Sequence, residues 1–400
     1  MKNDETHTET DDFEFDKRLY VIFLIIFTEV LGFSMVLPLI PFLGLSLGLT
    51  YLQIGLIISV FSFCQLFASP ITGKLSDRFG RKPLFLLSQL STLAGFLLLG
   101  FATTAILLVT SRLIDGLLGS NMTVTQAYIS DITEPQHRTR VYGYSGGVFG
   151  AGLIFGPFIG GVLYRIDYSV PMFFAAAVTL VSVVLVLLFL PETITEKTEK
   201  LSFGFNEIIP VNDAKRFLKA PHIRNSLLML LIYNSAFFLF ISNFSLLAES
   251  QFHVGADQVG FYTAWIGILR VAIQTFLIAR ILRALGEGSM LRTGIFAMAV
   301  SMVILAFSTD YLFVFVPLIF LAYGTGVSRP ILTSKLTNSV TQKETATILG
   351  VNNSLTSIAQ MVTPIAGGFI IQYLSSQTLP ILSALLFSSL LLFLRNHIEI

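Results

Sequence analysis

Charged residues are scarce in this sequence, and their scarcity excludes an ordinary soluble domain. Only 12% of the 400 residues are Asp, Glu, Lys or Arg, whereas soluble domains contain about 25%. Apolar residues make up 54% of the chain, and the mean hydropathy is +0.78. A helix needs roughly 20 apolar residues to cross a bilayer core, and such stretches follow one another almost from end to end. Runs such as 174–190 do not alternate in polarity, so we expect spanning helices and not a barrel.

Features of an enzyme or a nucleotide-driven protein are also missing. The one cysteine, Cys64, rules out a disulfide within the chain. No Gly-rich loop is followed by Lys-Ser or Lys-Thr, and the five His and one Cys form no metal-ligand cluster. We therefore expect no enzyme activity, no cofactor, no metal and no nucleic-acid partner. Any transport activity should draw its energy from an ion gradient.

The apolar stretches divide into two sets of six. Spans are predicted at 19–43, 52–72, 83–101, 104–126, 141–164 and 170–190, and again at 225–248, 258–279, 289–307, 311–332, 345–371 and 377–395. This division predicts an N-terminal tail (1–18), an N-terminal bundle (19–190), a central loop (191–224) and a C-terminal bundle (225–400). The predicted fold is an all-α integral membrane protein with twelve transmembrane helices in two pseudo-symmetric six-helix bundles.

Lysine and arginine are concentrated in alternate connections between the spans. The N-terminus, the central loop and the segments 73–82, 133–140, 280–292 and 335–343 hold nearly all of them, while the other loops hold little beyond Arg165. Because basic residues mark the cytoplasmic side, we expect a multi-pass protein of the cell's inner (cytoplasmic) membrane with both termini in the cytoplasm. The polar residues 2–16 precede a full-length span without a cleavage pattern, so we do not expect a cleaved signal there.

The two sets of spans echo each other at a separation of about 206 residues. Ile54-Gly55 matches Val259-Gly260, and two further pairs of segments match: 74–80 with 280–286, and 156–161 with 363–368. Parallel repeats of this kind are typical of transporters whose substrate site lies between two half-bundles. The echo predicts a central cavity, and we expect a monomer to be the functional unit.

A charged motif lies between the second and third predicted spans. Residues 73–84 hold four basic residues and one acid in a predicted tight turn, where Asp77 is expected against a helix N-terminus. Taken alone, the basic residues are explained equally well as anchors that set the membrane topology and as parts of a charged latch. The motif resembles the signature of the major facilitator superfamily, and the matching residues are Gly73, Asp77, Arg78, Gly80, Arg81 and Lys82. The resemblance implies that Asp77, Arg78 and Arg81 form a cytoplasmic gate network. The second-half equivalent has Arg283 for the Asp and Glu287 for the Arg, which predicts an asymmetric latch.

Small residues and one proline follow one another along the fifth predicted span. They are Gly147, Gly152, Gly156, Pro157, Gly160 and Gly161. Small residues spaced by four let helix backbones approach, and proline bends a helix, so the residues alone indicate tight packing. The pattern also resembles the Gly-rich signature of the superfamily's drug/proton antiporters, which favours export.

Four charged residues inside predicted spans stand out as candidates, because a charge at the bilayer centre costs at least about 2.5 kcal/mol on insertion scales. Arg112 and Asp115 are three residues apart on one helical face and can form a structural ion pair. Glu29 has no opposite charge nearby in sequence, and an apolar environment favours the protonated form of a carboxyl, so Glu29 is a candidate for proton exchange. Arg270 can bind an anionic group, pair with an acid across the cavity or hold helices together, and these alternatives stay open.

Two segments resemble the twelve-helix drug/proton antiporter subfamily, which includes the tetracycline-type efflux proteins. Residues 29–41 resemble the first helix of that group, with the acid at Glu29 and the same proline spacing, and residues 112–116 with 128–133 resemble the fourth helix and the loop after it. The resemblance implies a proton-transfer role for Arg112, so Glu29, Arg112 and Asp115 are the proton-coupling candidates. Asp115 departs from the pattern, because relatives commonly have a neutral residue there.

Polar residues at mid-span depth are the candidates for lining a substrate cavity. They are Asn121, Gln126, Tyr233, Asn234, Trp265, Arg270, Gln274 and Asn353. This mixture suits a moderately polar organic molecule more than a bare ion. We expect a secondary transporter that exports small amphipathic, drug-like molecules by proton antiport and alternating access, with the substrate, protons and bilayer lipid as its partners. Two alternatives remain: a proton-coupled uptake symporter for a sugar, amino acid or carboxylate, and a membrane receptor that does not transport.

Overall fold

The computed structural model describes residues 16–119, 121–194, 210–341 and 344–397, and the regular elements in these ranges are all helices. Residues 1–15 of the predicted tail, 195–209 of the predicted central loop and positions 342–343, which include the basic Lys343, lie outside the described residues. The first half contains α1 (Lys17–Val36), α2 (Ile40–Ser46), α3 (Tyr51–Phe79), α4 (Arg81–Gly100), α5 (Ala105–Leu118), α6 (Asn121–Ile132), α7 (Arg138–Tyr164) and α8 (Ser169–Phe189). The second half contains α9 (Val211–Lys219), α10 (Pro221–Ile241), α11 (Phe244–Phe252), α12 (Ala256–Ala272), α13 (Ile278–Phe307), α14 (Phe315–Asn338), α15 (Thr345–Tyr373) and α16 (Thr378–His397).

These helices form the twelve predicted spans. In the described part of the chain, nine helical segments are individually long and apolar enough to cross a membrane. One of them, Ala256–Phe307, contains the eighth and ninth spans, which separate at Gly286. The fourth span is divided between α5 and α6, and the twelfth is the shorter apolar helix Thr378–Leu394. The prediction of an all-α membrane fold with twelve spans is therefore confirmed.

The turn predicted over residues 73–84 is far shorter than expected. Helix α3 continues to Phe79 and α4 begins at Arg81, so Gly80 alone interrupts the helical backbone, with φ of 107°. The prediction of a loop here was wrong because Gly73 and the residues after it are compatible with a helix. Gly286, 206 positions further on, has φ of 72° and interrupts the second half in the same way. A side chain at either position would be strained, so both glycines mark the same corner of the repeat.

Two proline-containing or irregular segments bend the spans without ending them. A 3-10 turn, Leu37–Leu39, joins α1 to α2 at Pro38, whose missing N–H prevents the regular helical hydrogen bond. A π-helix, Ile273–Leu277, joins α12 to α13 in the eighth span. The segment predicted as a central loop also contains a helix, α9, whose Phe217 is buried and whose Arg216 forms an ion pair of 3.1 Å with Glu344 before α15.

The two halves contact each other at two crossings that are related by the sequence repeat. At one crossing α3 meets α15, and a Cβ atom on Gly55 would lie 2.9 Å from the carbonyl carbon of Pro364. At the other crossing α7 meets α12, and a Cβ atom on Gly260 would lie 2.5 Å from the carbonyl oxygen of Pro157. Both distances are shorter than real Cβ contacts, so the helices approach backbone to backbone where only glycine fits.

Polar contacts between the halves lie at this same end of the bundle. Tyr51 Oη donates a hydrogen bond of 2.9 Å to Glu249, and the backbone N–H of Leu52 donates one of 3.0 Å to Gln372. Ser245 Oγ donates to the carbonyl oxygen of Pro38, 2.9 Å away. An ion pair of 2.9 Å joins Arg165 to Asp257. We call the end that carries these contacts the closed end.

The opposite ends of the same helices lie apart. A Cβ atom on Gly143, Gly146 or Gly147 of α7, or on Gly350 of α15, would have no other atom within 4 Å. Residues 275–280, which follow α12, are also largely exposed. The cleft between the halves therefore opens toward the ends where the basic segments lie, which we call the open end.

The closed-end crossing predicts a shift of conformation when its glycine is replaced. Because Gly260→Ala places a methyl group against the backbone of Pro157, we expect it to disfavour the conformation described here and to populate states in which the open end has closed. Spin labels at Tyr142 and Arg283, in a background with Cys64 replaced by serine, report the width of the open end by pulsed electron resonance.

The control is Gly146→Ala, which adds the same methyl group in open space. The label distance should shorten for Gly260→Ala and should not change for the control. An unchanged distribution in Gly260→Ala would show that this crossing does not hold the closed end together.

Candidate functional site

The three proton-coupling candidates meet in a buried polar network of the first half. Arg112 and Asp115, in α5, are 3% and 4% exposed, and their side chains lie 3.7 Å apart. Thr92 of α4 donates a hydrogen bond of 2.8 Å to Asp115, and Asn121 of α6 donates one of 3.2 Å to Thr92. Glu29, on α1, interacts electrostatically with Asp115 and through its side chain with Asn121. The network therefore joins four helices at membrane depth.

Glycines let these helices come close enough for the network to form. A Cβ atom on Gly116 would lie 2.8 Å from Cβ of Cys64, so α5 packs directly on α3. A Cβ atom on Gly95 would lie 3.2 Å from Cβ of Asp115, so α4 leaves space for that side chain beside Thr92. The position of Asp115 is thus determined by helix packing as well as by its polar partners.

Three polar atoms in this network lack hydrogen-bond partners among the described residues, and one of them is the amide oxygen of Asn121. One carboxylate oxygen of Glu29, Oε2, is enclosed and accepts no hydrogen bond from them. The guanidinium Nη2 of Arg112 is likewise enclosed without an acceptor, although its Nε lies 3.4 Å from Ser111 Oγ and its centre 5.9 Å from the ring of Phe61. Because an unpaired buried polar group is costly, the network can take up or release a proton or admit a polar ligand.

The charged motif at the open end is organised around Arg81. Its guanidinium pairs with Asp77 at 2.6 Å and with Asp131 at 2.8 Å, and it also donates to Ser76 Oγ. Arg81 is buried. Arg78, which the resemblance placed in the same network, instead lies 5.5 Å from the ring of its neighbour Phe79. Gly73 is helical and faces Thr123, and Lys82 Nζ donates to the carbonyl oxygen of Leu187, 2.9 Å away.

Glu192 occupies the helix N-terminus where sequence reasoning placed Asp77. Its carboxylate accepts hydrogen bonds from the backbone N–H groups of Arg81 at 2.8 Å and Lys82 at 3.1 Å. An acid is favoured there because the first N–H groups of a helix are unsatisfied and carry partial positive charge. The neighbouring Thr193 donates to Asp131 at 2.9 Å, and Pro191 accepts from Tyr128 at 2.9 Å. The segment after α8 therefore holds the ends of α4 and α6 together.

We use the name latch for Asp77, Arg81, Asp131 and Glu192. All four residues belong to the first half, and no hydrogen bond or ion pair joins them to a described residue of the second half in this conformation. The prediction for Asp77 needs correction, because Asp77 contacts Arg81 and does not cap α4. Glu192 and Asp131 were missed as latch residues because no local pattern connects them with residue 81.

The glycine motif of the fifth span, now α7, faces two different neighbours. Gly152, Gly156 and Gly160 pack on α1, where a Cβ on Gly160 would lie 2.8 Å from the carbonyl oxygen of Met35. Gly161 packs on α12, and Pro157 contacts Gly260 at the crossing described above. Gly147 faces open space, so the interpretation of tight packing is wrong for that one position.

The cavity candidates of the second half divide into packing residues and open ones. Asn234 donates to Thr356 Oγ1 at 3.0 Å, and Trp265 Nε1 donates to the carbonyl oxygen of Phe315 at 3.2 Å, so both link helices. Gln274 donates to the carbonyl oxygen of Gly326 at 3.3 Å. Tyr233 is 1% exposed and lies parallel to the ring of Phe237, with Arg270 as an electrostatic neighbour. Asn353 of the second half has an exposed side chain, as has the candidate Gln126 of the first half.

No group of three or more His, Cys, Asp or Glu side chains is placed to hold a metal ion in the described ranges. The polar groups that face the cleft instead lie on opposite halves. Two helical half-bundles around a cleft that is closed at one end define a membrane transporter architecture.

Comparison with known proteins identifies the family. The model of the Major Facilitator Superfamily matches residues 22–274 and 227–398. This chain belongs to the major facilitator superfamily. The resemblance drawn from the charged motif is confirmed.

Several relatives are similar over nearly the full length. The tetracycline resistance protein, class H, of Pasteurella multocida is 29% identical, with 90% of each chain covered. Multidrug resistance protein 2 of Bacillus subtilis is 26% identical, with 88% of this chain and 89% of the relative covered. These relatives confirm the resemblance to drug efflux proteins.

Solved structures share the fold at low identity. The peptide transporter POT superposes with a TM-score of 0.78 at 14% identity, covering 95% of each chain. The human organic anion transporter TETRAN superposes with a TM-score of 0.69 at 20% identity, covering 94% of this chain and 98% of that one. At these identities the likeness concerns the fold alone.

The latch geometry predicts unequal roles for its two arginines. Arg81→Ala leaves Asp77 and Asp131 without their common partner, so we expect it to lower the free energy of unfolding by about 2 kcal/mol. Arg78→Ala removes the same kind of side chain near the end of α3, where no described acid pairs with it, and should change stability by less than about 0.5 kcal/mol. Thermal unfolding midpoints of the two variants in one detergent provide the measurement. Equal losses would contradict the central position of Arg81.

Proposed function

We propose that this protein is a proton-coupled antiporter that exports small amphipathic organic molecules by alternating access. The observation that carries the proposal is the enclosed carboxylate oxygen of Glu29, which has no described hydrogen-bond partner and lies beside the Arg112–Asp115 pair. A carboxylate in that position is stabilised when it takes up a proton, since its neutral form is less costly to bury. The same group can release the proton when the surroundings become wet.

Alternating access links this proton to the movement of the halves. With both termini in the cytoplasm, the open end faces the cytoplasm and the conformation described here is the one that loads substrate from inside. Release of the proton from Glu29 into the cytoplasm leaves a charge that disfavours closing the cleft. Substrate binding then favours closure of the open end, and protonation from outside resets the cycle. Asp115 keeps Arg112 paired during this exchange.

The relatives support the direction of transport. The names of the class H relative and of multidrug resistance protein 2 refer to resistance, a property that export of a toxic compound produces. The glycine packing of α7 on α1 also places the helix that carries Glu29 against a helix that crosses to the second half. Movement at the crossing can therefore change the environment of the carboxyl.

The proposal is tested in proteoliposomes of known orientation under an imposed pH gradient. Lumenal pH is followed while tetracycline-like compounds, lipophilic cations, organic acids and sugars are added in turn. We expect at least one amphipathic compound to dissipate the gradient while moving against the protons. Movement of a solute with the protons would replace antiport by symport, and no movement under a proton or a sodium gradient would favour a receptor.

Glu29→Gln separates coupling from folding. The amide has nearly the same shape but cannot exchange a proton, so we expect gradient-driven transport to fall at least tenfold while downhill substrate exchange persists. The control is Glu134→Gln, an exposed acid between α6 and α7, which should transport at the wild-type rate. Thermal unfolding midpoints show whether each variant is folded. Full gradient-driven transport by Glu29→Gln would remove this residue from the mechanism.

A further inference from the structure

Two arginines of the second half lie inside the membrane-spanning region without an acidic partner among the described residues. Arg270 lies near the end of α12, and Arg329 lies in α14. Each is about four turns from the start of its helix, and the two helices start at the closed end, so the two side chains lie at similar depth. They are near enough to each other to repel, and both act electrostatically on Tyr233 of α10.

Packing holds this pair in place. A Cβ atom on Gly326 of α14 would lie 3.8 Å from Cγ of Arg270 and 3.9 Å from Cγ of Gln274. The two side chains therefore pack against α14 at this glycine. Gln274 donates to the carbonyl oxygen of that same glycine. Arg329 follows Gly326 by three residues and therefore lies on the same face of α14. The stem of Arg270 therefore packs on the helix that carries Arg329.

The backbone of the eighth span is irregular just after Arg270. Residues 273–277 form a π-helix, and such one-turn insertions are frequent at functional sites. The wider turn changes which residues of the span face the cleft after this point. Gln274 in this turn is the residue that bonds to Gly326.

A purely structural role does not explain two like charges at this depth. Burying a charge inside the membrane is costly, and repulsion from Arg329 adds to that cost for Arg270. No described acid offsets it. Tyr233, which is 1% exposed, adds a hydroxyl group that makes no hydrogen bond with a described residue. Two guanidinium groups and a phenol form a set of donors that matches an organic acid, because guanidinium pairs with carboxylate through two parallel hydrogen bonds.

The first half presents the opposite charge. Its acids, Glu29 and Asp115, lie in the proton-coupling network, and Asp115 is already paired with Arg112. A substrate whose acidic group is bound by the second half leaves Glu29 free to exchange its proton. A cationic substrate, in contrast, meets repulsion from Arg270 and Arg329.

We propose that Arg270, Arg329 and Tyr233 bind the acidic group of the substrate, so that the transported molecules are amphipathic organic anions or zwitterions. The identity of the site as a transport site rests on the antiporter function proposed above. Binding itself does not depend on that function and can be measured without a gradient.

The single tryptophan makes this measurement site-specific. Trp265 precedes Arg270 by five residues in α12, and its emission transfers energy to a bound pyrene. The full chain in nanodiscs is titrated with pyrenebutyrate, with its methyl ester and with a pyrenebutyl trimethylammonium salt. We expect the carboxylate to bind at least tenfold more tightly than either of the other two.

Substitutions then assign the preference to the arginines. Arg270→Gln and Arg329→Gln should each weaken carboxylate binding at least tenfold and change ester binding less than twofold. The carboxylate affinity of Arg270→Lys should lie between those of the wild type and Arg270→Gln, since lysine retains the charge but loses the paired donors. Arg283→Gln, an exposed arginine of α13, is the matched control and should bind like wild type. If Arg270→Gln does not fold, Arg329→Gln, whose side chain is exposed, carries the test.

Several results would overturn the proposal. One is that the wild-type protein binds the carboxylate and the ester equally, or binds neither. Another is that it binds the ammonium compound more tightly than the carboxylate. A third is an equal loss for all three probes in the arginine variants, which would indicate a packing role. Carboxylate selectivity without proton antiport would refute the function proposed above and keep this site, whereas antiport without carboxylate selectivity would refute the site alone.

Discussion

The close approach of backbones at two glycine–proline crossings is the constraint on which the rest of the structure depends. Gly55 against Pro364 and Gly260 against Pro157 hold the halves together at one end, where no Cβ atom fits. With that end closed, the basic ends of the spans lie apart and the polar residues between them face a cleft. The cleft is therefore a consequence of helix contacts made far from the charged groups.

The two halves differ in the charged residues that they place inside the membrane. In the first half, glycines at positions 95 and 116 let helices approach until Asp115 is enclosed beside Thr92 and Arg112. In the second half, Gly326 contacts the stem of Arg270 with room for a Cβ atom, and the charges there are both positive and have no described acidic partner. The two halves thus share a backbone repeat but differ in the charges inside the membrane. This difference suits a protein that handles a proton in one half and an organic molecule in the other.

Span number, the repeat and the charged motif were all predictable from the sequence, because apolar runs and local spacing report them directly. The latch was predictable only in part, since Glu192 lies 111 residues from Arg81 and nothing in its local sequence shows that it caps α4. Thr92 escaped notice for the same reason. Gly147 and Gly156 look alike in the sequence, yet one faces open space and the other faces Leu31. Only the angle between helices distinguishes them.

The pairing of the two crossings has a consequence for ion leakage. Because each crossing excludes even a methyl group, neither leaves a gap for a file of water molecules, and protons move through membranes along such files. Both crossings join the same two halves, so a movement of the halves that opens one crossing tends to open the other. A protein of this kind can keep a polar pathway within the membrane without letting protons leak down their gradient.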